Sequence, residues 1–468
     1  MGEQACQKAR WVIVRRRALA RNRRVWPVVL GLLALLQVAT SAAEQSLVLT
    51  GGTLIGLPGA RARADDVPDA VIVIRGDQIV AAGSRQSTTA PVDARVVDIR
   101  GCFVIPGLHD VFAGMNSQAQ ASAHLYMGVT SIVGLDEPDG RRGSLFRAAW
   151  PGPRVRPLAE IDGVRWDEGY ATPLSTGEIL AQVDEAARSG ARVLLLHYGL
   201  TPPQVREVAR RARRAGLGTI GELGATRYTE AIEAGVDALV HTSRYSLELA
   251  SEEMRWGIAS DPFGPPRTRY YEYLARLDPD SPVVARWSKR LARSKVALIP
   301  TLSLYYLDLP GHANPWDEPI AHILDPQDLH LPADRVTGEP PPAPGVPEGL
   351  SQSVVRLEQR YARAGARYLA GSGTSAFGTL PGISLHNELA MLVDLGLTPR
   401  QALAAATLNV SRVFRWPRTG LVKAGYDADL VVLDADPTTD IRNLKRIRMV
   451  ILRGEPVDRD ALLAPAER

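Results

Sequence analysis

Cysteine is nearly absent from this chain: Cys6 and Cys102 are the only two in 468 residues. Cys6 lies in a leading segment that does not belong to the fold. One remaining cysteine cannot close an internal disulfide, and no Cys/His spacing of a zinc finger occurs. Internal repeats are absent too. The single biased stretch, EPPPAPGVP (339–347), reads as an extended, solvated linker. An excess of one charge is also missing once the leading segment is set aside. The chain has 55 basic and 51 acidic residues. Eight and one of these fall in residues 1–43, which leaves 47 basic and 50 acidic, a formal net of −3. The basic character therefore belongs to the leading segment, and nucleic acid is not expected as a partner.

That segment carries Lys8 and seven arginines against Glu3, then the apolar run VWPVVLGLLALLQVATSAA. A basic region, an apolar region and small residues in that order form a secretory signal, with cleavage expected near Ala43. Export to the periplasm or beyond follows. The alternative is an uncleaved N-terminal anchor, since the run approaches the ~20 residues that span a bilayer, and membrane contact is expected only in that case.

The rest reads as strands and helices. Residues 47–59, 70–82 and 95–105 are short β-rich runs punctuated by Gly51-Gly52 and Gly76-Asp77, and 425–435 and 447–456 are two more at the other end. Between them strands alternate with helices: strands over 128–135, 193–199, 218–223, 238–242 and 296–305, helices over 176–191, 202–217, 226–236, 349–365, 384–396 and 399–414. This alternation predicts an α/β fold with a parallel sheet, and about 300 residues suit a (β/α)8 barrel whose site lies at the strand C-termini. Residues 308–350, rich in Pro, Gly and Asp, are expected to form a long loop or lid. The arginine run 210–214 reads as a solvated helix face with Glu207 and Glu222 near it in sequence. The tyrosines of 267–277 read as a helix face packed on the barrel.

The stretch VIPGLHDVFAG (104–114) resembles the first barrel strand of the amidohydrolase superfamily, PGxxDxHxH, through Pro106, Gly107, Leu108 and Asp110. The segments AGVDALVHT, GYDADLVVLDADP and PGISLHNELAMLVDLGLTPRQALAAAT are similar to the same superfamily, in its imidazolonepropionase and Xaa-Pro dipeptidase-like branch. The resemblance implies a (β/α)8 barrel over 106–419. It also implies a small composite β-sandwich built from 44–105 and 420–468. Family members hydrolyse C–N bonds with divalent metal. Their ligands are two histidines on the first strand, a lysine or glutamate on the fourth, histidines on the fifth and sixth, and an aspartate on the eighth. Here Phe112 and Gly114 stand at the two first-strand positions and Leu195 at the lysine. Glu222 stands at the fifth-strand histidine, with Gly221 as the alternative register, and Gly373 at the aspartate; only His241 is retained. Apolar residues and glycine cannot replace nitrogen or carboxylate ligands. Ordinary metal-dependent hydrolysis is therefore not expected, nor is any cofactor.

What remains is a candidate pocket of His241, Glu222, His197 and Asp110. His197 shares a strand face with Leu195. His241 is either a ligand-facing acid–base group or an inherited histidine satisfied by its neighbours. His197, Glu222 and His241 stand on consecutive strands and leave open a relocated two-histidine, one-carboxylate zinc site, beside the plainer reading of a polar pocket. Ser372, Thr374 and Ser375 read as a small-residue turn, with a serine nucleophile as the alternative. His109 is expected to face away from the barrel interior, and His124, His312, His322, His330 and His386 to be structural or surface residues. Three functions fit: a non-catalytic homologue that binds a small molecule, an active hydrolase or lyase with an atypical site, and a structural subunit. A subunit of that kind would form a homo-oligomer or pair with an active paralogue.

Overall fold

The computed structural model describes residues 45–57, 65–135, 148–167, 170–244, 246–260, 264–343, 345–374 and 376–464. The expected signal over 1–43 and Ser375 lie outside the described residues. Among the described residues no helix is long and apolar enough to cross a membrane.

Eight parallel strands form the barrel: Leu108–Gly114, Val129–Leu135, Arg154–Ile161, Val193–Leu196, Gly218–Gly221, Ala238–Val240, Ala297–Ile299 and Arg367–Tyr368. The ring closes between the first strand and the chain following Tyr368. Val111 N donates to Ala370 O (3.1 Å), Gly373 N donates to Phe112 O (2.8 Å), and Ala113 bridges Thr374 in parallel. Apolar side chains fill the barrel interior, among them Leu158, Val193, Leu195, Ile220, Val240 and Ile299. Phe414 closes the end where strands begin, since a side chain at Gly218 would meet its ring at 2.5 Å. This packed interior leaves the C-terminal mouth as the place for polar groups.

The surrounding helices follow their sequence signals. Helix Thr176–Arg188 starts at a reciprocal cap between Ser175 and Glu178 and buries Ile179, Val183 and Ala186. Helix Pro202–Arg214 opens on two prolines, as first-turn positions allow, and buries Val205, Val208, Ala209 and Ala212. Its arginines face outward: Arg211 pairs with Asp184 at 2.7 Å and Arg210 with Glu207, whereas Glu222 lies at the barrel mouth. Helix Pro265–Arg276 buries Tyr270, Tyr271 and Leu274, so its tyrosine stripe is a packed face.

Both chain ends build two facing sheets. The first orders Gln78–Ser84, Ala70–Arg75, Leu47–Thr50 and Arg95–Asp98. The second orders Glu455–Val457, Ile447–Leu452, Leu430–Leu433, Phe103–Pro106 and Thr53–Leu54. Leu49, Ile72, Ile79, Val104, Leu430 and Ile451 share the core between them. Leu430–Leu433 pairs antiparallel with Phe103–Pro106, so the chain enters the barrel from a strand held by its own C-terminal region.

Two expectations are corrected, and one strand goes unread in the sequence. The third barrel strand escapes the sequence because RVRPLAEI lacks an apolar run. Arg154 instead binds Asp429 at 2.6 Å, and Arg156 lies over Trp416 at 5.2 Å. The helix expected over 399–414 is two, Pro399–Ala405 and Leu408–Val413. The carbonyls of Ala405 and Ala406 at the break accept from Ala370 N and His109 N of the barrel. Residues 308–350 are not one open loop. Short 3-10 turns at Pro315–Asp317, Pro319–Ile323 and Pro326–Asp328 bury Trp316, Ile320, Leu324 and Leu329.

Candidate functional site

Two polar contacts meet at the C-terminal mouth. The first joins the fifth and sixth strands. Glu222, one residue past Gly218–Gly221, keeps the inward parity of Ile220. Its Oε1 lies 3.6 Å from His241 Nε2 and accepts from the Tyr198 hydroxyl at 2.6 Å. Gly221, the alternative register, turns toward Leu239 and Leu223 instead. The 3.6 Å separation is too long for a hydrogen bond.

The proton on His241 can be assigned from its neighbours. His241 Nδ1 lies 2.6 Å from Thr301 Oγ1, whose own hydrogen goes to Pro300 O at 2.6 Å. Thr301 therefore accepts and Nδ1 carries the proton. Burial, then the Arg244 guanidinium, pulls the His241 pKa down to about 3, so the ring is neutral. Burial pushes the Glu222 carboxyl up, against the opposing pull of His197 and the Tyr198 hydrogen bond. His241 and Thr301 both hold positive φ, 51° and 52°, and the two strained residues fix one another across strand ends.

The second contact joins the third and fourth strands. His197 Nδ1 is 2.9 Å from Asp162 Oδ1. The His197 side chain is 24% exposed and that of Asp162 only 4%, so the carboxylate orients a ring that solvent reaches. Burial alone would lower the His197 pKa. The Asp162 hydrogen bond and the Glu222 charge outweigh it and raise the value. Glu160, exposed near the end of the strand that Asp162 follows, acts electrostatically on both His197 and Glu222.

Asp110 sits elsewhere. Its Oδ1 accepts from Ser372 N (2.8 Å) and Phe112 N (3.4 Å), fastening the first strand to the eighth-strand turn, and burial raises its pKa to about 6. Ser372 Oγ contacts Thr374 Oγ1 and Thr374 N, so its hydrogen bonds stay within that turn. His109 faces outward, buried, with Nε2 3.1 Å from Thr419 Oγ1. His124 and His386 are buried on helices.

The residues at the family's metal-ligand positions do not fit a metal. Phe112 projects into the barrel, its ring edge-on to His241 with centroids 5.4 Å apart. Leu195 belongs to the apolar interior. Gly373 has φ +66°, and a Cβ there would meet Leu304 at 3.0 Å. Among the described residues no three His, Cys, Asp or Glu side chains converge as a metal site requires.

Sequence reasoning missed several residues here. Asp162 went unseen because its strand did, and Thr301 and Leu304 because they act through a turn after the seventh strand. Tyr198 was legible as the neighbour of His197, two positions from the barrel-facing Leu195. Two further buried carboxyls carried no sequence signal. Glu358 accepts from the hydroxyls of Thr242, Ser243 (2.8 Å) and Tyr368 (3.1 Å), and Glu388 from Ser303 N at 2.8 Å.

A closed parallel barrel with its polar groups at the strand C-termini, joined to a two-sheet sandwich from both chain ends, defines a (β/α)8-barrel protein. Comparison with known proteins supports the amidohydrolase superfamily for this chain. Residues 282–457 match the sequence profile of the Amidohydrolase family. The chain is 39% identical over 79 residues to an adenine deaminase of Methanothrix thermoacetophila, covering 17% of this chain and 12% of that enzyme. It is 42% identical over 66 residues to an imidazolonepropionase of Salmonella typhimurium, covering 14% and 16%. The chain thus spans only a small part of the curated relatives it matches. A solved Xaa-Pro dipeptidase shares the fold with a TM-score of 0.57 at 16% identity, over 88% of this chain and all of that one.

Proposed function

We propose that this superfamily member does not carry out metal-assisted hydrolysis and instead binds a small molecule at its barrel mouth. The observation that carries this reading is Phe112: an aromatic ring packed on His241 where the family places a metal-binding histidine. A Lewis acid needs lone pairs at fixed short distances, and an aromatic edge supplies none. The relatives named above are active enzymes, so the reading is one of a changed site on an inherited frame. The basic and apolar order of residues 1–43 supports export. A homo-oligomer or a pairing with an intact paralogue remains compatible with a binding role.

The test is elemental analysis of the full chain purified with zinc, manganese and iron supplied. Substoichiometric metal is expected. Near-stoichiometric metal that disappears in His241→Ala would overturn the proposal.

A second reading is favoured by the Asp162–His197 pair. A buried carboxylate orienting a partly exposed imidazole is the arrangement of a general base. A hydrolase or lyase built on it needs His197, so turnover found for the wild-type chain and unchanged in His197→Ala would remove this reading.

A further inference from the structure

The two sheets of the sandwich leave a cleft of about 370 Å³ at one end, lined only by residues of the sandwich. Its floor is Ile74 and Leu47, which are cross-strand partners and belong to the core between the sheets. Leu47 is also in register with Arg95, the first residue of the neighbouring edge strand. Residues in register share one face of a sheet, so Arg95 stands beside Leu47 on the cleft side. Asp77 lies at the opposite flank, in the turn that follows the Ile74 strand. Strands lie about 4.8 Å apart, so about 10 Å separates the Ile74 and Arg95 positions. The row therefore reads carboxyl, two apolar side chains, guanidinium.

A second turn closes against the first from the facing sheet. Gly454 has φ +84°, and a side chain there would collide with the Gly76 carbonyl, so the two turns meet backbone to backbone. Arg453 and Glu455, on either side of Gly454, add one more charge of each sign to the cleft. All four charged residues are exposed, and among the described residues none of them forms an ion pair. Arg453 lies over the Trp150 ring at 5.7 Å. Asp77 acts on Arg154 only through space, because Arg154 is bound to Asp429.

Opposite charges that share a cleft without meeting are held apart by its floor. A ligand with one charge serves one flank alone, and one exposed ion pair contributes only about 0–1 kcal/mol. A ligand with both charges, spaced by methylenes that cover Ile74 and Leu47, serves both flanks and the floor together. We infer that this cleft binds a small zwitterion whose ammonium and carboxylate are separated by a short aliphatic chain, with the carboxylate toward Arg95 and the ammonium toward Asp77. The site is independent of the barrel mouth, since every residue that lines it belongs to the sandwich.

The experiment is calorimetric titration of the full chain, at low ionic strength, with 5-aminopentanoate, pentylamine and pentanoate. Saturable binding of 5-aminopentanoate is expected, several-fold tighter than either singly charged compound and weaker as salt is added. Arg95→Gln and Asp77→Asn each remove one exposed charge and should leave the fold intact. Each is expected to weaken 5-aminopentanoate by about three- to fivefold. His197→Ala, in the barrel mouth, should leave its affinity unchanged. Absent or non-saturable binding, equal binding of all three compounds, unchanged affinity in both sandwich variants, or a loss seen only in His197→Ala would overturn the inference. Metal analysis of the same sample separates the two claims. Stoichiometric metal defeats the proposed function and leaves this inference standing, whereas a metal-free chain indifferent to 5-aminopentanoate defeats this inference alone.

Discussion

Gly373 marks how far the site has moved from its relatives. An aspartate there would need a left-handed backbone at φ +66° and would drive its Cβ to 3.0 Å from Leu304. Gly373→Asp is therefore expected to destabilise the chain by about 1–3 kcal/mol through the backbone, with crowding added. Adding Leu304→Ala should return only the crowding part. Urea midpoints of the two variants test this, and a Gly373→Asp chain as stable as wild type would refute it. Neither variant is expected to gain metal, since Phe112 and Leu195 remain. The other residue whose state depends on one neighbour is His197. Its raised pKa rests on Asp162 and Glu222 working against burial. Asp162→Asn removes the larger of those two opposing influences, so the imidazole should titrate at lower pH. An NMR titration of the His197 ring measures that shift, and an unmoved or higher pKa would show that Asp162 does not control it.

At the scale of elements, segments announced by apolar period were legible and segments held by polar or distant contacts were not. Val193–Leu196 and Ala238–Val240 are apolar runs between helices with clear caps, and they are strands as expected. Arg154–Ile161 has no such run, because it is tied down by Asp429 and Trp416, residues some 260 to 275 positions further on. The segment over 308–350 shows the same limit. Its prolines and aspartates suggested an open loop, yet they start 3-10 turns that place Trp316 in the core. Trp316 is 4% exposed, donates Nε1 to Ala333 O at 3.1 Å, and lies under the Arg335 guanidinium at 5.0 Å. Trp316→Ala should cost about 3–5 kcal/mol, the range for emptying a buried indole site. Thermal unfolding checks this: a midpoint within a degree or so of wild type would mean that the segment is a detachable lid and not part of the core.

Across the whole molecule, the fold was legible because its signals come in pairs, strands at both ends and a repeating strand and helix between. The site was legible only as losses. The absent histidines, lysine and aspartate can be read from a sequence, but the gained contacts join residues on different strands: Asp162 with His197, Thr301 with His241, Leu304 over Gly373. One consequence of this interior belongs to no single element. Asp110, Glu358 and Glu388 are fully buried, and burial raises their pKa values to about 6, 7 and 8 from ordinary carboxyl values. Each keeps a proton when folded that the unfolded chain releases, so their contribution is complete below the unfolded carboxyl range and is lost as pH rises through 6 to 8. Glu388 feels both other carboxyls, so each ionisation makes the next harder to accommodate. Four buried histidines act in the opposite sense. His109 and His241 are lowered to about 3, and His124 and His386 to about 4, by burial. Their contribution is complete above the ordinary histidine value of about 6.5 and is lost as pH falls toward 3 to 4. Opposing slopes of this kind place the stability maximum at about pH 6.5, with decline on both sides. Thermal midpoints from pH 4 to 9 should trace that curve. Glu358→Gln, which keeps an acceptor oxygen for Thr242 and Ser243 but cannot ionise, should flatten the alkaline limb up to about pH 7 and steepen the acid limb, because the ionisation it removes costs stability from the ordinary carboxyl range up to about 7. An alkaline limb equally steep in that variant would show that Glu358 is not among the groups that set it.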